Sequence, residues 1–257
     1  MHTTMLKEER HQEILDMIKQ SSKVLSSELS IELNVSEDTI RRDLKELSQK
    51  GLIRKVHGGA VLNDSSAYIP MNYDDRKTFA FEEKKIIAQK AISLLKDDML
   101  IFIDGGTTNQ EIASQLPNDI NISVMTNCLP VAIELLNKPN IQTHFLGGRI
   151  LSGVPITVGA DTINILNEVN ADIFFIGTRS FSIEKGLTDI DRTEVLVKRK
   201  MAERSALVVS VALSEKLGSV QSFNIIPTEK LNYLITELNP EDQSLINYKS
   251  LAGLTLL

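Results

Sequence analysis

Two groups of residues in this chain have types and spacings that could do chemistry. The first is Arg41, Arg42 and Lys45, followed by Lys50, Arg54, Lys55 and His57. Between residues 39 and 57 six basic side chains stand against two acids, Asp43 and Glu46, a local charge of +4. Set Ile40 at 0° and step about 100° per residue, as on an α-helix. Leu44 and Leu47 then fall within about 40° of Ile40, while Arg41, Arg42 and Lys45 fall between about 100° and 200° with Asp38 and Gln49. Asp43 and Glu46 lie on one flank, near 240–300° by the same rough count. An apolar seam backed by bases suits a helix laid in the major groove, where Arg forks onto guanine and Lys meets phosphate. For the helix alone, a solvated amphipathic surface is the competing explanation. Ser36, Thr39, Arg41, Arg42, Lys45, Arg54, Lys55 and His57 are the candidate DNA contacts, with Arg41 and Arg42 as the main ones and Lys45, Arg54, Lys55 and His57 on phosphates.

The second group is Asp104-Gly105-Gly106-Thr107-Thr108, which follows the apolar run Leu100–Ile103 and opens a helical pattern. Glycines let a backbone approach a ligand, and threonine hydroxyls with free N–H groups at a helix start favour an anion. Alone, such a stretch also serves as a plain strand-to-helix turn. Thr126-Asn127, Gly147-Gly148-Arg149 and Gly177 follow other strand candidates. In open α/β sheets the carboxyl ends of strands gather such loops at one ligand site. Lys84-Lys85 and Lys198-Arg199-Lys200 read as solvated helix faces, Cys128 as a small packed residue, and His144 as an ordinary strand position. Four scattered histidines and one cysteine cannot form a Cys₂His₂ or Cys₄ zinc site. No metal, cofactor or catalytic residue is expected.

These residues need elements to hold them. Helices are expected at about 6–20, after an N-cap at Ser26, and after an N-cap at Ser36, with Asn34-Val35 as the turn between the last two. Glu37 and Asp38 suit the positive end of the third helix, and Gly51 its C′ position. Residues 52–61 alternate loosely and turn at Gly58-Gly59, a two-stranded wing. This makes residues 1–61 a winged helix-turn-helix. Residues 62–75, polar and broken by Pro70, read as a linker. Beyond them, strand candidates at Leu100–Ile103, Ser123–Met125, Thr143–Leu146, Ile173–Ile176, Leu207–Val211 and Leu234–Ile235 alternate with helices at 81–95, 107–116, 129–137, 161–168 and 193–204. Such alternation means a doubly wound, mostly parallel α/β domain over 76–257.

The net charge of −6 does not oppose DNA binding. Residues 1–60 carry ten bases and ten acids, and the remaining 197 carry 18 and 24, so the whole deficit lies in the second part. No apolar run reaches the roughly 18–20 residues that span a bilayer, and residues 1–30 lack an apolar leader core. A single cysteine fits a reducing cytoplasm.

The run Val35-Ser36-Glu37-Asp38-Thr39-Ile40-Arg41-Arg42-Asp43-Leu44, with Leu47, Gly51-Leu52 and Arg54…His57-Gly58-Gly59-Ala60, resembles the N-terminal signature of the DeoR family of bacterial regulators. The second half resembles the effector domain of that family, a relative of the ribose-5-phosphate isomerase and CoA-transferase fold. The matching pieces are Asp104–Thr108, Thr126-Asn127, Leu146-Gly147-Gly148, Gly177, Gly186-Leu187-Thr188, Glu194…Lys198 and Lys216-Leu217-Gly218. The resemblance implies a repressor of carbohydrate genes that binds double-stranded operator DNA as a dimer or tetramer. It also implies a phosphorylated sugar resting on Gly106–Thr108, with Asn127 and Lys216 nearby. Effector contacts are thus expected at Asp104, Gly105, Gly106, Thr107, Thr108, Thr126, Asn127, Gly147, Gly148, Gly177 and Lys216. The chain departs from the family pattern at Ser180, where Gly is usual, and at Leu213, where Asp is usual. Asp189 and Asp191 make the loop after Gly186 acidic. All three changes bear on the sugar end of the pocket.

Two other classes compete. A sugar-phosphate isomerase needs a placed base, and the loop Gly177-Thr178-Arg179-Ser180 offers no carboxylate, although Asp104 could serve. A DNA-binding protein with a vestigial effector domain is the third.

Overall fold

In the computed structural model, residues 6–21, 23–49, 52–56, 58–62 and 73–257 are described. The chain divides into two compact units, with the boundary between Met71 and Asn72.

The first unit runs α1 (Lys7–Ser21), β1 (Lys23–Leu25), α2 (Ser26–Glu32), α3 (Glu37–Gln49), β2 (Ile53–Val56) and β3 (Gly59–Leu62). Its core is the seam read from the sequence: Ile40, Leu44 and Leu47 of α3 pack with Ile14 and Ile18 of α1, Leu29 and Leu33. Ser36 caps α3, its Oγ accepting the Thr39 N–H at 3.2 Å. Asn34 makes the preceding turn at φ 51°, a region that Asn tolerates better than most residues. The wing strands β2 and β3 pair antiparallel, and β1 joins β3 on its other side. Ser26 is not an N-cap. It is the first residue of α2, and the wing satisfies its N–H through Gly58 O at 2.8 Å. Lys50, Gly51 and His57 lie outside the described residues, as does the side chain of Arg54.

The second unit contains α4 (Tyr73–Thr78), α5 (Phe81–Ile92), β4 (Leu100–Ile103), α6 (Thr107–Gln115), β5 (Ile122–Thr126), α7 (Leu129–Leu135) and β6 (Ile141–Phe145). It continues through β7 (Arg149–Ile150), β8 (Thr157–Val158), α8 (Ala160–Leu166), β9 (Ala171–Gly177), β10 (Ser180–Ser182) and β11 (Gly186–Asp189). Then follow α9 (Arg192–Glu203), β12 (Ser205–Val211), β13 (Phe223–Ile226), β14 (Tyr233–Ile235), α10 (Ile246–Lys249) and β15 (Thr255–Leu256). Seven strands form one sheet in the order β15–β14–β12–β9–β4–β5–β6, and every pairing in it is parallel. The central strands β9 and β4 are apolar on both faces, as a sheet covered on both sides requires. Ile101, Phe102, Ile103, Phe174, Phe175 and Ile176 are all buried.

Each strand and helix expected from the sequence is present within a few residues. Not foreseen are the strand β1, the side sheet β10–β11–β13, the hairpin β7–β8, the edge strand β15 and the helices α4 and α10. Of the stretch read as a linker, Leu62 ends β3, residues 63–72 lie outside the described residues, and Tyr73–Asp75 open α4. No helix among the described residues is long and apolar enough to cross a membrane.

Candidate functional sites

In the first unit, α3 buries its apolar seam and leaves Arg41, Arg42 and Lys45 exposed on the opposite side. Arg41 bonds back to the helix start, to Glu37 Oε2 at 3.0 Å and Asp38 Oδ1 at 3.4 Å. Among the described residues neither Arg42 nor Lys45 has an ion-pair partner, so both are available to an incoming polyanion. Arg41 and Lys55 also line one hollow of about 290 Å³ with Ser26, Val56, Gly58 and Gly59. The helix and the wing therefore offer their bases side by side. Ser36 and Thr39 sit at the helix start, with their hydroxyls 2.9 Å apart.

The acids on the flank of α3 are neutralised from α1. Asp43 is only 2% exposed. Its Oδ2 accepts from Arg10 Nε at 2.7 Å, and its Oδ1 bonds Arg10 Nη2 at 3.3 Å and His11 Nε2 at 3.1 Å. Burial opposes the charged carboxylate, but the bonds from Arg10 and His11 outweigh it and hold the carboxyl below its ordinary range. One turn on, Glu46 meets Lys7 at 2.7 Å.

In the second unit, the parallel order places the ends of β12, β9, β4, β5 and β6 along one edge. Four of the expected loops converge there, and Lys216 joins them after β12. Asp104, 1% exposed, follows β4; its Oδ1 accepts the Gly177 N–H at 2.8 Å and a bond from Asn109 Nδ2. Gly177 has no room for a side chain, since a Cβ there would stand 2.7 Å from Gly105 O. Gly106 precedes α6 at φ 136°, which favours glycine. Thr107 and Thr108 are buried in the first turn of α6. Thr126 Oγ1 accepts from Cys128 N at 3.0 Å, and Asn127 Nδ2 donates to Thr157 O at 2.8 Å. Gly147 O accepts from Thr162 Oγ1 at 2.6 Å, and Gly148 lies against the same residue. Lys216 Nζ reaches back to Thr178 O at 2.7 Å.

The site holds more charge than the sequence reading assigned. Lys198, read as a solvated face, is 3% exposed. Its Nζ lies 2.7 Å from Asp189 Oδ2, 2.8 Å from Glu194 Oε1 and 3.8 Å from Asp104 Oδ2. Burial works against its charge, yet the three carboxylates overcome that and raise its pKa. Asp189 is held below its usual range, Lys198 outweighing burial. Asp104 moves the other way, because burial outweighs Lys198 and lifts its carboxyl to about 7. Burial, reinforced by Arg76, Arg179 and Lys198, brings Lys216 down to about 7. Burial, and then Arg179, bring Arg76 down to about 10. Arg179 Nε lies 3.9 Å from Asp189 Oδ1. Among the described residues, five buried side-chain atoms at this edge lack a hydrogen-bond partner: Arg76 Nε and Nη2, Asp104 Oδ2, Asn109 Oδ1 and Asn127 Oδ1.

Lys84 is also corrected, from a solvated face to 2% exposed; its Nζ donates to Arg76 O and Phe79 O and ties down the end of α4. Lys85 is partly exposed and pairs with Glu82. Arg199 bonds Asn224 O and Ile225 O, and Lys200 pairs with Glu203. Asp191 caps α9, accepting from Thr193 N and Glu194 N, so part of the acidity after Gly186 is structural. Ser180 Oγ is buried 2.6 Å from Thr188 Oγ1, and Leu213 lies in the core. Cys128 is fully buried, its thiol pushed up to about 11 by burial. His144 is exposed on β6.

Comparison with known proteins bears on both units. Residues 10–66 match the model of the DeoR-like helix-turn-helix domain, and residues 80–238 match that of the DeoR C terminal sensor domain. The HTH-type transcriptional regulator GolR of Listeria innocua serovar 6a is 35% identical, over 89% of this chain and 90% of that protein. The glycerol-3-phosphate regulon repressor of Escherichia coli K12 is 33% identical over 90% and 91%, and the lactose phosphotransferase system repressor of Staphylococcus epidermidis 31% over 91% and 94%. Among solved structures, ribose 5-phosphate isomerase A from Methanocaldococcus jannaschii is 17% identical over 52% of this chain and 53% of that one, with a TM-score of 0.38. The Pyrococcus horikoshii OT3 translation initiation factor eIF-2B is 17% identical over 91% and 88%, with a TM-score of 0.48. With a helix-turn-helix in front, a sensor-type domain behind and relatives aligned along most of its length, this chain belongs to the DeoR family of DNA-binding transcriptional regulators.

Proposed function

We propose that this regulator represses carbohydrate genes and that its hold on operator DNA responds to a small phosphorylated sugar or polyol. The ligand binds at the strand ends of the second unit. The observation that carries this reading is the set of unpartnered buried atoms there. Among the described residues, Asn109 Oδ1 and Asn127 Oδ1 are acceptors without donors, Asp104 Oδ2 has no hydrogen bond and only Lys198 Nζ at 3.8 Å, and Arg76 Nε and Nη2 are donors without acceptors. Leaving such groups unmet costs about 1–3 kcal/mol each. A polyol phosphate supplies what they lack: hydroxyl donors for the acceptors and an anion for Arg76, beside Arg179 and Lys216. The glycine-threonine turn before α6 adds backbone N–H groups for the phosphate. The relatives named for glycerol-3-phosphate and for the lactose phosphotransferase system agree with that ligand class.

DNA contacts come from Arg41, Arg42, Lys45 and Lys55, helped by Ser36 and Thr39, and Arg54 and His57 complete the set on phosphates. Residues 1–61 do the reading and 76–257 the sensing, with 62–75 between them. The protein works in the cytoplasm as a dimer or tetramer, so that two α3 helices meet two half-sites. Ligand binding then changes how the two are presented.

A thermal-shift screen against phosphorylated sugars and polyols tests the sensor. Saturation at about 100 times Kd adds about 2.7 kcal/mol, a rise of roughly 5–10 °C for a domain of this size. Gel shifts with and without each hit test the coupling. A panel that moves neither melting nor DNA binding would overturn the sensor role. Asp104, held near neutrality, is the group an isomerase would use as its base. Turnover of ribose 5-phosphate would replace sensing with catalysis.

A further inference from the structure

We infer that Asp43 is a positioning residue for DNA reading: clasped by Arg10 and His11, it fixes the roll of α3 about its own axis. This rests on α3 being the reading helix. The apolar seam of α3, Ile40, Leu44 and Leu47, is about 60° wide, and aliphatic packing has no direction. Such a seam holds a helix down without choosing its rotation sharply. The carboxylate of Asp43 sits on the flank of the seam, and α1 grips both of its oxygens, Arg10 Nε at 2.7 Å on one and Arg10 Nη2 and His11 Nε2 at 3.3 and 3.1 Å on the other. A forked guanidinium contact fixes direction as well as distance. The second rung, Lys7 with Glu46 at 2.7 Å, lies on the same flank and on the same pair of helices.

The size of the effect follows from helix geometry. A roll of about 30° carries a side chain at a radius of about 5–6 Å through about 3 Å, a whole hydrogen-bond length. Base-edge contacts by Arg42 would not survive that. Phosphate contacts by long, exposed bases would, because charge attraction tolerates it. Loosening the clasp therefore costs sequence discrimination and spares general attraction to DNA. The clasp also keeps the Asp43 charge turned inward, paired and away from the exposed bases.

The test uses the full chain and a duplex selected from a random pool on the parent protein. Binding to this duplex and to random-sequence DNA is measured against salt. Asp43→Asn removes the charge, and Arg10→Lys keeps the charge but loses the fork. Both are expected to lower the ratio of selected to random affinity about tenfold or more, with the salt slope on random DNA unchanged. The inference is overturned if the ratio holds within twofold in Arg10→Lys, or if both affinities fall together. Should Asp43→Asn show no cooperative melting, Arg10→Lys decides alone. A pool that yields no preferred sequence would instead remove the reading role of α3, and the clasp's role with it.

Discussion

Replacing Asp104 with Asn is expected to stabilise the second unit at pH 8 and to change little near pH 5. Asp104 is enclosed, one oxygen bonded to Gly177 N and Asn109, the other without a hydrogen bond and 3.8 Å from Lys198 Nζ. Burial lifts its carboxyl from 3.8 to about 7. The unfolded chain therefore gives up this proton first as pH rises. Between about 4 and 7 the unfolded state binds fewer protons than the folded one, so stability falls with rising pH and then levels off. At about 1.4 kcal/mol per pKa unit, the full penalty above pH 7 is about 4 kcal/mol. Asn does not titrate, and its Oδ1 keeps the acceptor role towards Gly177. Its amide turns donors towards Lys198, which returns part of the gain and leaves about 2 kcal/mol. That is a rise of about 4–8 °C in a domain of 150–250 residues. Calorimetry of parent and variant at pH 5, 6, 7 and 8 reads it as a difference that grows with pH. An equal shift at every pH, or a less stable variant at pH 8, would refute the reasoning. The same substitution is expected to weaken ligand binding, a cost that often accompanies relief of strain at a functional site.

Affinity for a phosphorylated ligand should be lower at pH 8.5 than at pH 6.5. Lys216, brought down to about 7 by burial and its cationic neighbours, loses its charge over that interval, and Asp104 gains one in the same window; calorimetric titrations giving one Kd at pH 6.5 and 8.5 would contradict this. Lys198→Met strands Asp189 and Glu194 without their buried cation. Breaking such a pair costs about 3–5 kcal/mol, so melting should drop by at least about 6 °C, and a drop under about 2 °C would count against the cluster. Arg42→Ala should weaken binding to a selected duplex about ten- to a hundredfold, as for the loss of a forked base contact worth about 1–3 kcal/mol. An unchanged gel shift at moderate salt would remove Arg42 from the interface.

The large elements were legible because their signals are local. Apolar runs of two to five residues alternating with helical periods make the parallel sheet readable, and the seam Ile40–Leu44–Leu47 fixes which side of α3 is buried. What escaped depends on distant partners. β1 is three residues long, and it is a strand because Lys23–Leu25 pairs with Gly59–Val61 across the wing. In the side sheet, β10 and β11 are short strands that carry no clear alternation, and β13 joins β11 from a distant stretch of chain. α4 is six residues, Tyr73–Thr78, next to a polar stretch that gives no helical period. It is held by Tyr73 Oη bonding Gln110 Oε1 at 2.9 Å and by Lys84. Arg76 went unassigned for that reason.

The site residues misread from sequence share one feature, and it was visible. In α9 the buried stripe is Val195, Lys198 and Met201, with Val197 beside it; in α5 it is Lys84, Ile87, Ala88 and Ala91. Each stripe has a lysine where the helical period calls for an apolar residue. For Lys84 and Lys198 the helical period, and not the residue type, decides burial. A buried ammonium has to be paid for by nearby acceptors, so a lysine on an apolar stripe points to a polar site beneath it. For Lys198 the sequence even supplied the acceptors, Glu194 one turn earlier and Asp189 just before the helix. For Lys84 the acceptors are backbone carbonyls of Arg76 and Phe79, which no side-chain pattern announces. Asp43 is the acidic counterpart. Its angle puts it on the flank of α3, but its burial depends on Arg10 and His11, more than thirty residues earlier and on another helix. Periodicity gives the direction a side chain takes, and only the partner on the facing element says whether that direction is solvent or a charge held in the core.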